Sequence, residues 1–460
     1  MIGLPHRKLA LFSVVFSVAA ASCGKKNSSS GGDSAPTDKL ANSLALALKA
    51  RGLSEDQAKK IADSGKGLAA SRKAASALLL TPQALSPGKP DNAAEREISG
   101  FVEGAIAAID DAGVTDRSKI LAVPGTTVEI VLKSFAERKD ELKGSLKDLP
   151  AVVADASRNG LKTSGVPQDD LDDALREITK EIIENLDETG LEKDDSDDAA
   201  SAVIAETIGG LDELGIEKDL IDDYSASIIA GAMDGIPKEM PVDEITLWVK
   251  EMSEAVADGM KDTGLSDAEL ALAMQAVSRA ASESVDDIGI SKDHWAKISE
   301  AMTEGMVAGL DDAGVSKDYY DEAIKAIARG AVEGSEALNS ELSDEELENY
   351  IRSASKGAAS GCAELNLPKD EWDDYAKQAA EGAGAGLAGV KINDSFKQQM
   401  ESRIADGTKE GLADSGLSQA ELDKLLNDAT LAADRGAREG EVATDRSSTQ
   451  SPPDSVTRQY

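Results

Sequence analysis

A short phrase of sequence recurs along the chain at a nearly constant spacing, and this period constrains the fold more than any other feature. Two copies are VADGMKDTGLSDAE, ending at Glu269, and GMVAGLDDAGVSKD, ending at Asp318. We number each repeat from the apolar residue directly after its turn glycine, which is position 0. Position 0 falls at Val166, Leu191, Ile216, Met240, Leu265, Ile290, Val315, Leu342, Leu367, Ile392 and Leu417. The period is 25 residues, with one interval of 24 and one of 27.

Weaker copies upstream bring the number of repeats to about fifteen, which is typical of a repeat array. They lie at or near Leu53, Lys89, Val114 and Glu141. Only 3% of the residues are aromatic, although 41% are hydrophobic, so the core must consist mainly of aliphatic side chains. This composition suits helix packing.

Each repeat is predicted to be a single helix of roughly 18–20 residues. Ser266 has Glu269 three residues later, which is the pattern of a capping box at a helix start. The same pattern recurs at Ser54/Gln57, Ser343/Glu346 and Ser418/Glu421. In seven of these repeats a glycine ends the preceding helix, because glycine tolerates the left-handed backbone conformation after the last turn. These glycines are Gly165, Gly190, Gly215, Gly264, Gly289, Gly314 and Gly416.

The fold is therefore predicted to be all-α, an α-solenoid-like array of single-helix repeats. Such short turns favour antiparallel stacking of successive helices, and a spiral of orthogonal corners is the alternative. Pairs of glycines four residues apart inside the helices, such as Gly305/Gly309, predict sites where another backbone approaches closely. Gly309→Leu should therefore disturb packing.

Changes in regularity divide the chain into five segments. Residues 1–22 form a signal segment, and residues 23–36 form a Gly/Ser-rich tether. Residues 37–150 are irregular helical repeats or a cap, in which Pro124-Gly125 is expected to interrupt a helix. Residues 151–440 form the regular array, and the polar residues 441–460 are expected to be disordered.

The first residues have the order of a secretion signal. Arg7 and Lys8 precede an apolar run that is too short to span a bilayer, and small residues then lead to a cysteine. The run Ala20-Ala21-Ser22-Cys23 resembles the lipobox of bacterial lipoproteins, although that family prefers Leu where Ala20 stands. The resemblance covers only this segment. It implies cleavage before Cys23, acylation of Cys23 with fatty acids such as palmitate, and membrane anchoring. Gly24 is not the Asp that retains such lipoproteins in the inner membrane, so the outer membrane is favoured.

The formal net charge of −37 limits the possible partners. Such a charge repels nucleic acid and favours basic proteins or divalent cations as partners. An acidic surface that only keeps a long array soluble is the simpler interpretation.

Few residues suggest chemistry. No zinc motif, phosphate loop or nucleophile elbow occurs. His294 is interpreted as a surface residue, and Cys362 as a small buried one. The acidic turns lack the spacing of a calcium loop, which leaves Asp311 and Asp312 as weak candidates for loose cation binding. Aromatic residues at positions 5 and 8 are expected to be core, with a sugar- or peptide-binding groove as the alternative. They include Trp248, Trp295, Trp372, Tyr224, Tyr350 and Tyr375.

These observations predict a non-enzymatic scaffold anchored by lipid at the bacterial cell envelope, with a structural or protein-binding role. No cofactor is expected. The alternatives are a surface protein that binds divalent cations and an enzyme whose site is not recognised.

Overall fold

The computed structural model describes residues 36–79, 93–142, 146–365 and 367–449. In these ranges the protein has sixteen helices, one isolated helical turn at Lys139–Leu142, and no strand. The helices are α1 (Pro36–Ala50), α2 (Glu55–Leu79), α3 (Ala93–Ala107), α4 (Arg117–Glu137), α5 (Leu149–Thr163), α6 (Leu171–Glu184), α7 (Lys193–Gly209), α8 (Ile221–Asp234), α9 (Val242–Asp262), α10 (Asp267–Glu283), α11 (Trp295–Asp312), α12 (Tyr320–Leu338), α13 (Asp344–Glu364), α14 (Trp372–Gly386), α15 (Asp394–Gly411) and α16 (Gln419–Thr449).

The start and stop signals act as the sequence predicts. Ser266 and Ser343 form complete capping boxes with Glu269 and Glu346. Reciprocal bonds also join Ser54 to Gln57 and Ser418 to Glu421. All seven predicted turn glycines have positive φ, between 65° and 79°. The helices α5–α15 are 14 to 21 residues long, and a 3₁₀ turn precedes several of them.

The helices lie in two layers, and successive helices alternate between them through the regular part of the chain. From α5 onwards, helices two apart in sequence make more extensive contacts than successive helices do, whereas nearer the N-terminus the successive helices α2 and α3 pack extensively against each other. Layer A consists of α2, α3, α5, α7, α9, α11, α13 and α15, and layer B of α1, α4, α6, α8, α10, α12, α14 and α16. A connected core of buried aliphatic residues extends from Leu40 to Ala433 between the layers. The fold is thus an all-α helical repeat array, as predicted.

The packing partner of each helix differs from the favoured prediction. Gly305 and Gly309 of α11 lie against the carbonyl groups of Lys250 and Glu254 of α9. Both pairs are 55 residues apart, so the two helices run in the same direction. Antiparallel stacking of successive helices is therefore not the closest packing in the array. After each turn the chain continues in the opposite layer. Helices two repeats apart therefore lie in the same layer and run in the same direction.

The glycine pairs are close-packing positions, as predicted. A Cβ atom placed on Gly309 would lie 2.5 Å from the carbonyl oxygen of Glu254 and 3.1 Å from Cβ of Ala257. Contacts of this kind recur in both layers, for example at Gly235 against Lys180 and at Gly334 against Arg279. The missing side chain lets the helices of one layer approach closely.

Lysines in the turns connect repeats along the two surfaces that the helix ends form. Lys292 donates a hydrogen bond of 2.6 Å to the carbonyl oxygen of Glu341, which lies in the turn two repeats later. Lys218 and Lys369 donate in the same way to the carbonyl oxygens of Gly264 and Gly416. A cation at a helix C-terminus satisfies carbonyl groups that have no partner within the helix. This explains the lysine in the repeated phrase.

Two predicted boundaries differ in the structure. The helix α4 runs through Pro124 and Gly125, where the sequence predicts an interruption. Both residues are buried, and Gly125 packs against Glu177 and Glu181 of α6, so tertiary contact outweighs the lost backbone hydrogen bond. The last helix continues to Thr449, so the predicted start of the disordered tail at residue 441 lies within it. None of the described helices is both long and apolar enough to cross a membrane.

Candidate functional site

Ion pairs cross the outer surface of each layer at repeated positions. In layer A, Lys250 Nζ lies 2.6 Å from a carboxylate oxygen of Glu304 and 2.7 Å from one of Glu364. Burial lowers the pKa of Lys250, but the hydrogen bonds with these two carboxylates outweigh it and hold the pKa above its ordinary value. We call Lys250, Glu304 and Glu364 the Lys250 site. It connects α9, α11 and α13.

The same arrangement occurs in layer B. Lys325 Nζ lies 2.5 Å from Glu381 and 3.1 Å from Glu439, which connects α12, α14 and α16. In both cases the lysine is at position 10 of its repeat, the first glutamate at position 14 two repeats later, and the second at position 22 four repeats later. The repeat therefore builds a defined binding arrangement for an ammonium group.

A groove of about 500 Å³ lies beside the Lys250 site, where α7, α9 and the end of α11 meet. Its polar lining is mostly acidic, and we call it the acidic groove. The polar residues that line it are Asp198, Ser201, Glu251, Glu254, Asp258 and Asp312. The hydroxyl oxygen of Ser201 is buried and has no hydrogen-bond partner among the described residues. Five carboxylates thus face one shallow concavity, and that of Asp198 forms an ion pair with Lys147.

The negatively charged carboxylates of the acidic groove repel one another, which disfavours their ionised forms. Burial, together with the negative charges of Asp197 and Asp198, raises the pKa of Glu251 to about 7. Burial also raises the pKa of Glu254, and the negative charge of Asp312 raises it further. A cation in the groove would relieve this repulsion and favour the ionised form of both groups.

The groove lies where one copy of this arrangement has both carboxylates and no lysine or arginine. Ser201 is at position 10 of its repeat, Glu254 at position 14 and Asp312 at position 22. They are therefore the counterparts of Lys250, Glu304 and Glu364. Other copies of this arrangement have their position 10 on α6 and on α8–α12, and in each of them a lysine or arginine occupies one of the three positions. In the order of these helices, the cations are Arg176, Arg279, Lys250, Arg329, Lys356 and Lys325.

The structure separates the two acidic candidates that the sequence proposes. Asp312 lines the acidic groove, whereas the carboxylate of Asp311 accepts a hydrogen bond of 3.0 Å from the hydroxyl of Tyr320. Among the described residues, no group of three or more His, Cys, Asp or Glu side chains is arranged to hold a metal ion. Cys23, the predicted lipidation site, lies outside the described residues. Cys362 is fully buried, as expected, and burial raises the pKa of its thiol.

The aromatic residues at positions 5 and 8 belong mainly to the core. Trp248, Trp295, Tyr224 and Tyr350 are buried, while Trp372 and Tyr375 are half-buried against the core. The interpretation as core residues is confirmed for these side chains. Trp295 and Tyr350 also line a cavity of about 370 Å³ between the first turns of α11 and α13.

Four groove residues were not proposed from the sequence: Asp198, Glu251, Glu254 and Asp258. In a chain with 86 acidic residues, no single one of them stands out. Alignment of the repeats at positions 10, 14 and 22 would have shown a copy with two carboxylates and no cation. However, the packing between helices two apart is needed to know that these three positions meet.

The acidic groove can attract and hold a cationic group, and its side chains offer no nucleophile paired with a base. Neither a model of a known protein family nor a curated protein sequence matches this chain. The site must therefore be interpreted from its own geometry.

Proposed function

We propose that the protein is a lipid-anchored, acidic helical-repeat scaffold at the bacterial cell envelope and that it binds a basic protein. The observation that carries the binding role is the acidic groove, where the carboxylates of Glu254 and Asp312 have no lysine between them. The neighbouring Lys250 site supports this role because the same array neutralises equivalent carboxylates with an ammonium group. No catalytic step is part of the proposal.

The proposed location depends on the N-terminal segment. The apolar run and Ala20-Ala21-Ser22-Cys23 support a lipid on Cys23, and Gly24 favours the outer membrane. A tether as long as Gly24 to Pro36 reaches about 20 Å, which would hold the array clear of the bilayer surface. The long array then offers its layers to partners in the envelope.

Lipid anchoring is tested by Cys23→Ala. This variant should leave the membrane fraction and no longer partition into detergent, because the acyl chains supply the anchor. Cys362→Ala, which changes the only other cysteine, is the matched control and should partition like the natural protein. Equal partitioning of all three proteins would refute the lipid anchor.

Binding is tested by capture of basic proteins from envelope extract with the mature array at low and high salt. Capture through the groove should be strong at low salt, fall at high salt, and be lost in the double variant Glu254→Gln/Asp312→Asn. Capture that is insensitive to both salt and the variant would contradict the proposed role of the groove.

Binding of divalent cations is the second candidate function, because the same carboxylates offer oxygen ligands. Thermal unfolding in calcium chloride and in sodium chloride at matched ionic strength separates the two. If the groove serves a basic protein, both salts should stabilise the array to similar degrees by screening. A large upward shift with sub-millimolar calcium alone would favour the cation-binding alternative.

A further inference from the structure

The array contains two filled examples of the arrangement that the acidic groove leaves open. At the Lys250 site and at Lys325, a lysine from position 10 places its ammonium group between carboxylates from positions 14 and 22. The two examples lie in different layers and involve different helices. The arrangement is therefore a property of the repeat and does not depend on one local environment.

The acidic groove has both carboxylates of this arrangement and lacks only the lysine. Glu254 and Asp312 occupy positions 14 and 22, and Ser201 occupies position 10. A serine side chain is too short to bring a donor to the place where the ammonium group lies in the other two examples. In addition, its buried hydroxyl oxygen has no partner among the described residues.

We infer that the acidic groove binds a lysine side chain of a basic protein, whose ammonium group lies between Glu254 and Asp312 as Lys250 lies between Glu304 and Glu364. The inference rests on the proposed function and deepens it by naming the recognised group. A primary ammonium fits better than a guanidinium, because Lys250 and Lys325 each contact two carboxylates through one nitrogen, whereas the guanidinium of Arg176, also at position 10, pairs with Asp287 at position 22. Glu251 and Asp258 extend the negative surface around this point, which suits a lysine-rich segment, whereas the carboxylate of Asp198 pairs with Lys147.

The direct test measures the affinity of octalysine for the mature chain, purified in detergent, by calorimetry at low salt. Glu254→Gln/Asp312→Asn should weaken binding about tenfold, which is the loss expected when an ammonium group loses its charged partners. The charge-matched control is Asp318→Asn/Glu322→Gln, which changes two exposed carboxylates of layer B. The control should retain most of the affinity. Equal losses in the two double variants would overturn the inference.

Two substitutions of Ser201 test whether a lysine of the chain itself competes for the groove. Ser201→Lys should place an ammonium group between Glu254 and Asp312, which would weaken octalysine binding about tenfold and raise the melting temperature. Ser201→Gln adds a side chain of comparable length without charge, and glutamine already occupies position 10 at Gln275. The Gln variant should bind octalysine almost as the natural protein does. If Ser201→Lys binds octalysine as tightly as Ser201→Gln, the inference is wrong.

Two other ligands identify the occupant. Spermidine carries the same ammonium chemistry but is a free polyamine, and calcium is a divalent cation. Octalysine should bind more tightly than spermidine, and sub-millimolar calcium should not displace it. Tighter binding of spermidine, or displacement by calcium, would overturn a protein lysine as the occupant. Because octalysine replaces the natural partner, these results do not depend on whether capture from envelope extract succeeds.

Discussion

The Lys250 site and the acidic groove lie next to each other in layer A and share one register of helix packing. In the Lys250 site, an ammonium group connects three helices. In the acidic groove, the equivalent carboxylates of Glu254 and Asp312 face a serine. A single position of the repeat therefore decides whether the surface is a closed ion-pair network or an open groove of like charges.

This difference teaches that function in a repeat array can come from an omission. The backbone arrangement that holds an ion pair in one copy is the proposed binding surface in the copy from which one side chain is missing. Leaving the groove open disfavours the ionised form of its glutamates. The pKa values of Glu251 and Glu254 are higher than those of ordinary glutamates because of burial and neighbouring negative charges. The predictions below separate the shared packing from the charge difference.

The largest expected effect comes from breaking the packing that both sites share. Gly309→Leu places a side chain against the carbonyl group of Glu254, at a contact where even a Cβ atom would be only 2.5 Å away. The helices α9 and α11 would have to separate, at a cost of about 3 kcal/mol in the free energy of unfolding. Chemical denaturation followed by circular dichroism measures this cost.

Gly67→Leu is the control for helix propensity. Gly67 is an exposed position inside α2, and no atom lies within 4 Å of a Cβ placed there. This variant should be as stable as the natural protein or more stable by up to about 1 kcal/mol, since leucine favours helix more than glycine does. Equal stability of Gly309→Leu and the natural protein would show that the layers are not closely packed.

The next effect comes from converting the filled site into an open one. Lys250→Met removes the ammonium group and leaves Glu304 and Glu364 facing each other. Because these side chains remain partly exposed, solvent screening limits the loss of stability to about 1–2 kcal/mol. The variant should also bind a second octalysine, since it now has two open arrangements. Calorimetric stoichiometry measures this directly.

Lys297→Met removes a lysine from the same layer as a control. Lys297 pairs with Asp243, whose side chain is 92% exposed, so the loss of stability should be much smaller than in Lys250→Met, and no new binding should appear. A stoichiometry that stays unchanged in Lys250→Met would mean that open carboxylates alone do not make a site.

Most of the fold follows from local signals in the sequence. The capping boxes at Ser266 and Ser343 and the positive φ of glycines such as Gly264 depend only on residues within one turn, so the repeat phrase predicts them. The choice of packing partner depends on where two turns send the chain. Local signals do not determine this, and the repeat phrase did not predict that helices two apart would make the most extensive contacts.

The acidic groove was less accessible to sequence reasoning. Asp312 was proposed together with Asp311 because both lie at a helix end, but Tyr320 binds Asp311 and only Asp312 lines the groove. Glu254 lies 58 residues before Asp312, and its relevance depends on the parallel register of α9 and α11. Two residues so far apart in sequence cannot be recognised as neighbours before the packing of the layers is known.

A smaller effect should appear when pH is varied. The pKa of Glu251 is about 7 in the folded protein, above the ordinary 4.5, so the folded state binds a proton more readily than the unfolded state. Its ionisation therefore costs stability above pH 7, and the cost disappears as pH falls towards 4.5. Glu251→Gln should raise the melting temperature by about 1–2 °C at pH 8 and have no effect near pH 5. Equal shifts at both pH values would contradict the raised pKa.

The smallest effect concerns the turn lysines, which are common to repeats with and without an open groove. Lys218→Met removes the hydrogen bond to the carbonyl oxygen of Gly264. Since this bond is exposed, the free energy of unfolding should fall by only about 0.5–1 kcal/mol. Octalysine binding should not change, because the contact lies in the turns at the ends of the helices and outside the groove. Lys162→Met, at an exposed lysine near the end of α5, is the charge-matched control and should cost less. Equal costs in the two variants would show that the lysine of the repeated phrase does not hold the turns together.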